Sequence, residues 1–270
     1  MKLKWFTTSL MMLLVWGMFA CGNGEGTLKL TVWGEEFVEQ KIPANEVEDG
    51  WEITFTRFLI VVGQVKLATR SGTQGPSIDM LKVFDLKQVG QQALTEQLVQ
   101  ATAWDNLTYK VAPATSSTTA GNASADDVKL MQDNGYSIYL EGKATKENMT
   151  KTFAWGFKTD TTYAGCESKA VVSAGSTATA QLTIHADHFF YDDLESNDAK
   201  VRFEAIAKAD KNSDGIVTME ELAGLSGAEF AGLSSYGVGR FSEVKDLKAF
   251  ITQLSKTLGH IDGEGHCDFQ

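Results

Sequence analysis

Apolar and polar residues alternate with a period of two over much of the first two thirds of the chain, as expected for half-buried strands. Leu28, Leu30 and Val32 alternate with Lys29 and Thr31, and Ile53 and Phe55 alternate with Thr54 and Thr56 before an apolar run at 58–62. Further β-branched or aromatic runs occupy 81–86, 107–111, 136–140, 152–157 and 178–184, separated by Gly, Asn, Asp and Ser clusters. Many short strands joined by polar turns predict a β-sandwich over 27–190. Pro43, Pro76 and Pro113 are expected outside the strands, because Pro cannot donate to a ladder. Two stretches break the pattern. The residues at 88–100 predict a turn of helix, and the low-complexity residues at 115–126 predict an exposed, solvated loop.

After residue 190 the period changes. Ala199, Phe203, Ile206 and Ala207 fall on one helical face, as do Met219, Leu222 and Leu225. Val244, Leu247, Phe250 or Ile251, and Leu254 give a final helix over 243–258. Asp192 and Asp193 are expected to cap the next helix; a paired-carboxylate site there lacks any accompanying pattern. The fold expected is therefore mainly a β-sandwich at 27–190, followed by a small helical region and tail at 191–270, α+β overall.

The first twenty residues follow a different rule. Lys2 and Lys4 precede an apolar run from Trp5 to Ala20, too short to span a bilayer comfortably, so residues 1–20 read as a secretory signal. The run ends Met18-Phe19-Ala20-Cys21-Gly22, which resembles the lipobox of bacterial lipoproteins, with Phe19 where a small residue is usual. That resemblance implies cleavage before Cys21, lipid on Cys21, a tether at 21–26 and, since Gly22 is not Asp, placement at the outer membrane. Plain cleavage elsewhere is the alternative.

Composition narrows the choices. The chain has 270 residues, 43% hydrophobic and 22% charged, which suits a folded body rather than a disordered one. Its net charge is -11, from 24 Lys+Arg against 35 Asp+Glu, which excludes nucleic acid as the default partner. Removing residues 1–20 takes away two lysines and no acids, so the remaining body is more acidic still. With Cys21 set aside, Cys166 and Cys267 remain, and in an oxidising compartment they most simply form one disulfide. The alternative makes Cys267, beside His266, a metal ligand.

The most specific pattern is Asp210-Lys211-Asn212-Ser213-Asp214-Gly215-Ile216-Val217-Thr218-Met219-Glu220-Glu221. Calcium is a hard cation that takes about six to eight oxygens. Asp210, Asn212 and Asp214 supply side-chain oxygens at loop positions 1, 3 and 5. Gly215 permits the sharp turn. Ile216 offers its carbonyl, Thr218 its hydroxyl or a water, and Glu221 closes the shell. The loop resembles the EF-hand family. Thr218 and Glu221 also form a capping box, so the exiting helix starts at Thr218, and Gly224 and Gly227 end it early. No second loop has this spacing. An unpaired loop of three acids is expected to bind calcium weakly, at about 10⁻⁴–10⁻³ M.

All four histidines come late: His185 and His188 after the last predicted strand, His260 and His266 in the tail. In an extended chain His185 and Asp187 share a face and His188 points away. A copper or zinc site from these four is the second candidate metal centre, although no HExxH or CxxC spacing marks it. Residues Gly135-Tyr136-Ser137-Ile138-Tyr139-Leu140-Glu141-Gly142, Phe153-Ala154-Trp155-Gly156-Phe157 and Cys166 resemble the motif order of the copper-binding periplasmic proteins encoded beside methanobactin genes. That resemblance implies a β-sandwich and a copper site using His and a Trp-derived group; Trp155-Gly156 stands where that family would have a His.

Three functions follow, in order. The first is a non-enzymatic, lipid-anchored, calcium-binding envelope protein that meets the membrane through its anchor. The second is a copper- or zinc-binding periplasmic or surface protein with a structural calcium loop. The third is a hydrolase using the region 185–193. The residues identify no protein or glycan partner.

Overall fold

The computed structural model describes residues 24–270. The signal segment 1–20 and Cys21 lie outside these residues. Thirteen strands follow in chain order: β1 (Glu25–Trp33), β2 (Glu52–Ala68), β3 (Gln74–Asp85), β4 (Gln92–Gln100), β5 (Asn106–Val111), β6 (Thr119–Ala120), β7 (Ile138–Lys146), β8 (Met149–Phe157), β9 (Thr161–Cys166), β10 (Thr177–Ile184), β11 (Ile216–Val217), β12 (Gly259–Ile261) and β13 (Asp268–Phe269). The helices are α1 (Glu35–Glu39), α2 (Ala125–Asn134), α3 (Glu204–Ala209), α4 (Met219–Gly224), α5 (Gly227–Ala231) and α6 (Leu247–Leu254).

The chain is β-rich, as the alternation predicts. One sheet runs β12-β10-β1-β4; the other runs β11-β8-β7-β2-β5-β9-β13, with β3 and β6 attached beside β2. The core between them takes Leu28, Leu30 and Val32 from β1, Leu182 and Ile184 from β10, and Phe55, Phe58, Leu140 and Trp155 from the larger sheet. Burying such aliphatic and aromatic faces against each other is the main stabilising term. β2 is the spine of the larger sheet and pairs in turn with β7, β3 and β5.

Several expectations need correction. Residues 88–100 hold no helix; they contain β4, antiparallel to β1 at the sheet edge. Only Leu94 and Val99 of β4 are buried, so its polar sequence hid a strand that cross-strand pairing creates. Residues 115–126 are largely exposed, as expected, but they are tied to the larger sheet rather than free of it. Thr119 and Ala120 pair with Lys82 and Val83. The Asn122 side chain accepts from the Asp85 N–H and donates to its carbonyl. Ser124 then caps α2 by accepting from the Asp127 N–H, and α2 seats Met131 against Leu59, Val61 and Val83. Pro76 falls inside β3, at the irregularity where the register with β2 shifts. Glu25 and Gly26 open β1 rather than belonging to a tether.

Beyond residue 190 the chain is stitched into both sheets. β11 runs parallel to β8, β12 antiparallel to β10 and β13 antiparallel to β9. Cys166 and Cys267 form a disulfide, Cα–Cα 4.2 Å, at the β9–β13 junction. α3 starts at Glu204, later than the periodicity suggested, because Val201 bridges to Tyr191 and the Asp49 carboxylate caps the helix from a distance, accepting from the Phe203 and Glu204 N–H groups. The last helix is also shorter than expected, since Asp246 accepts from the Ala249 N–H and so starts α6 at Leu247. Its buried face is the expected one: Leu247, Phe250, Ile251 and Leu254. Asp192 and Asp193 cap no helix. Asp192 pairs with Arg202 at 2.6 Å, and Asp193 accepts from the Glu195 and Ser196 N–H groups. No described helix is long and apolar enough to cross a membrane.

Because the disulfide closes a loop of 101 residues in sequence separation, it removes much freedom from the unfolded chain. Replacing Cys166 and Cys267 by Ser in residues 22–270 is expected to lower the unfolding free energy by about 2–5 kcal/mol in chemical denaturation. An unchanged midpoint would show that strand pairing alone holds the tail.

Candidate metal centre

The site is built where the smaller sheet ends. β10 finishes at Ile184, and a 3-10 turn at Ala186–Phe190 follows at once. Two neighbouring phenylalanines force that turn. Phe189 packs on Phe58 and Phe157, and Phe190 on Phe55, Phe153 and Phe203, all in the core. Residues three apart eclipse in a 3-10 turn. His185 and His188 therefore share a side, with ring centroids 5.4 Å apart, instead of pointing apart as an extended chain would have them.

The third imidazole arrives from the tail. β12 pairs with β10 so that Gly259 stands opposite Ile184 and His260 opposite Thr183. This sets the His260 ring 4.3 Å from that of His185. Behind it, the Tyr109 hydroxyl donates to the His260 carbonyl, and Tyr109 stacks on Tyr163 at 4.8 Å. Gly259 is needed there: a Cβ would lie 2.4 Å from the Tyr109 hydroxyl and 2.5 Å from the Tyr163 ring.

Carboxylates close the site from three directions. Glu35, just after β1, has φ of 60°, a left-handed backbone that a Glu adopts only under constraint. Its Oε2 lies 3.4 Å from His185 Nδ1. Asp187 accepts from the Tyr191 hydroxyl at 3.0 Å through Oδ2, while its Oδ1 is buried without a partner. Glu264 follows a tight turn pinned by Asp262, which accepts from the N–H groups of Gln181 and Lys169. Potential ligand atoms of His185, Asp187 and His188 lie within 4.8 Å of one another, and so do those of His185, His260 and Glu264. A pocket of about 400 Å³, walled by Trp33, Phe37 and Tyr191, gives access to Glu35, His185, Asp187, His188 and Glu264, while His260 lines the neighbouring pocket.

The electrostatics suit a metal. Burial, followed by the nearby His185, pushes His188 down to about 4. Burial with His185, His188 and His266 pushes His260 down to about 3. Both rings thus stay neutral, with lone pairs free for coordination. His188 Nδ1 lies 2.9 Å from the Thr257 carbonyl, so it carries the proton and leaves Nε2 as the ligand atom, a common support for metal-bound imidazole. Burial raises Glu35, opposed by His185 and reinforced by Glu264, Asp187 and Glu36; burial likewise raises Asp187, opposed by His185.

Three of the four expected histidines are therefore brought together. His266 belongs to neither set of ligand atoms: it is exposed, 3.3 Å from Asp268, and lines a pocket together with His188, His260 and Cys267. Cys267 is in the disulfide and is no metal ligand. The expected ligand list missed Glu35, Asp187 and Glu264. Asp187 and Glu264 each lie between or beside histidines in sequence, which was a usable signal; nothing in the sequence links Glu35 to the tail.

The calcium-loop residues form a separate turn between α3 and α4. Ser213 and Gly215 take positive φ, 61° and 84°. Asp210 accepts from the Asp214 and Gly215 N–H groups, Asn212 from the Asp214 N–H, and Asp214 from the Ile216 N–H. Glu221 accepts from the Thr218 N–H and hydroxyl, completing the capping box. Ile216 and Val217 pair with Thr152 and Phe153 of β8, and the Trp155 indole donates to the Val217 carbonyl. Lys151 of β8 meets the fully enclosed Asp210 carboxylate at 2.5 Å. Asp210, Asp214 and Glu221 do not converge as the two histidine sets do.

No family model matches the chain. No curated protein matches it. Among solved structures, MbnP from Methylosinus trichosporium aligns over 62% of this chain and 77% of its own, with a TM-score of 0.39 and 8% identity. A likeness at that distance assigns the chain to no family.

The depressed histidines fix a sign. An unfolded chain protonates His188 and His260 near 6.5, so acidification from there towards about 4 favours the unfolded state through these two rings. Glu35 and Asp187 act the other way, since their raised carboxyls let the folded state bind protons first. In the metal-free protein at pH 5, ring nitrogen NMR shifts of His188 and His260 are expected to be those of neutral imidazole. Imidazolium shifts for both would place them in a wetter, less enclosed site.

Proposed function

We propose that this chain is an exported metal-binding protein whose primary site, centred on His185, His188 and His260, takes copper or zinc. The observation that carries this reading is the pair of ligand sets that share His185, one with Asp187 and His188 and one with His260 and Glu264, with an Asp187 oxygen buried and unpartnered. Leaving a buried carboxylate oxygen without a donor is costly, and a cation satisfies it. Imidazole-rich sets with carboxylate support suit Zn(II) and Cu(II). The disulfide supports an oxidising compartment, in keeping with a signal at 1–20 and a lipid on Cys21.

This reading takes precedence over a calcium-only protein and over a hydrolase. The described pocket lining holds histidines, acids and aromatic side chains, and no Ser or Cys nucleophile. The carboxylate pair at 192–193 is engaged in backbone and Arg202 contacts. Metal binding is the function we assign to the cluster. Residues 22–270, titrated against a competing chelator, are expected to bind Zn(II) or Cu(II) stoichiometrically. His185→Ala should weaken binding by about 100-fold or more, beyond the loss typical of an outer-shell change. Equal affinity in wild type and His185→Ala would overturn the reading.

A secondary calcium clip at Asp210, Asn212, Asp214, Ile216, Thr218 and Glu221 is favoured by one observation. The loop strand pairs with β8, which gives an unpaired loop the partner that a second loop would otherwise supply. Calcium should raise the melting temperature of wild type with an apparent Kd of about 10⁻⁴–10⁻³ M. Asp210→Ala and Glu221→Ala should abolish that rise, and a calcium-insensitive wild type would remove the clip.

A further inference from the structure

The geometry points to two cations in the histidine cluster, one on each side of His185. This rests on the metal-binding reading above and extends it to stoichiometry.

The first argument is ligand number. A single tetrahedral ion takes about four ligands, with catalytic-type sites using about three from the protein. Three imidazoles and three carboxylates exceed that; five of them form two sets of two histidines and one acid, His185, Asp187, His188 and His185, His260, Glu264, while Glu35 stands beside His185 outside both sets. The two sets share only His185. Its ring nitrogens face different groups: Nδ1 lies 3.4 Å from Glu35 Oε2, while Nε2 lies 3.5 Å from the carbonyl of Gly263, the residue before Glu264. Binding through both nitrogens sends the remaining ring proton of His185 to solvent.

The second argument is charge. Glu35, Asp187 and Glu264 bring three carboxylates to the three imidazoles. Among the described residues, no Lys or Arg forms an ion pair with Glu35, Asp187 or Glu264; the one ionic contact to this group is His185 on Glu35. Carboxylates without a basic side-chain partner favour bound cations, and each of the two histidine sets holds one such acid. The third argument is the pair of orphaned atoms. Asp187 Oδ1 and His260 Nδ1 are both buried without partners, and they fall in different sets.

The test is zinc stoichiometry, by elemental analysis of residues 22–270 after equilibration with Zn(II) and gel filtration, with circular dichroism to confirm folding. Wild type and His266→Ala are expected to retain two zinc ions per chain. The pair His260→Ala with Glu264→Gln should retain one, and so should the pair Asp187→Asn with His188→Ala. As a second measurement, wild type loaded with two equivalents of Cu(II) should show a spin-coupled EPR spectrum, and each half-site variant an isolated Cu(II) signal. One zinc in wild type would overturn the two-cation proposal and leave the metal-binding reading intact. No zinc or copper in wild type would overturn both. Two zinc ions surviving both variant pairs would show adventitious surface binding and overturn the proposal.

Discussion

The pairing of β12 with β10 is the constraint on which the site depends. Three residues of the tail add a strand to the edge of the smaller sheet, and that register alone decides that His260 meets His185. A slip of one residue would turn His260 to the opposite face of the sheet. Three contacts guard against it. Gly259 admits the stacked Tyr109 and Tyr163, the Asp262 carboxylate accepts from the Gln181 backbone, and the Cys166–Cys267 disulfide closes the tail onto β9. Tail and sheet therefore form one unit, with a continuous hydrophobic core running from Leu28 through Phe190 to Ile261.

Around that unit the cluster gathers in one place features that occur only singly elsewhere among the described residues. Elsewhere, most buried carboxylates meet a cation or N–H groups: Asp192 meets Arg202, Asp210 meets Lys151, and one oxygen of Asp49 accepts from two N–H groups while its other oxygen is unpartnered. At the centre, acids and imidazoles are crowded without a cationic side chain, and Glu35 holds a left-handed backbone. Strain and uncompensated burial of this kind persist only when the surroundings over-determine them, and they concentrate at functional sites. Here the surroundings are the Phe189 and Phe190 anchors, which are fully enclosed in the aromatic core.

Strand positions were legible because they depend on local alternation; β1, β5, β8 and β10 follow it closely. β4 was not, because it is an edge strand whose polar side chains face water on both sides and whose existence depends on β1. α2 was hidden because it follows a Ser/Thr/Ala-rich segment and its own apolar content is little more than Val128, Leu130 and Met131. At the site, the late histidines were legible as a group. Their geometry was not, since the 3-10 turn that aligns His185 with His188 is imposed by where Phe189 and Phe190 find their core partners. Glu35 comes from the far end of the chain and could be placed only by the fold.

The two metal chemistries are separated by the same architecture that joins their segments. The loop at 210–221 offers oxygens and leans on β8 of the larger sheet, while the histidine cluster offers nitrogens at the end of the smaller one. A hard cation and a softer one are thus sorted by ligand type rather than by distance or size. Lys151 adds a further distinction. Its ammonium already neutralises Asp210, so the oxygen loop holds its shape through an internal ion pair, and calcium must compete with that pair. The nitrogen cluster has no such internal cation. Its charge is left for an external one, which makes the histidine cluster, and not the more recognisable loop, the part of the molecule whose chemistry demands a ligand.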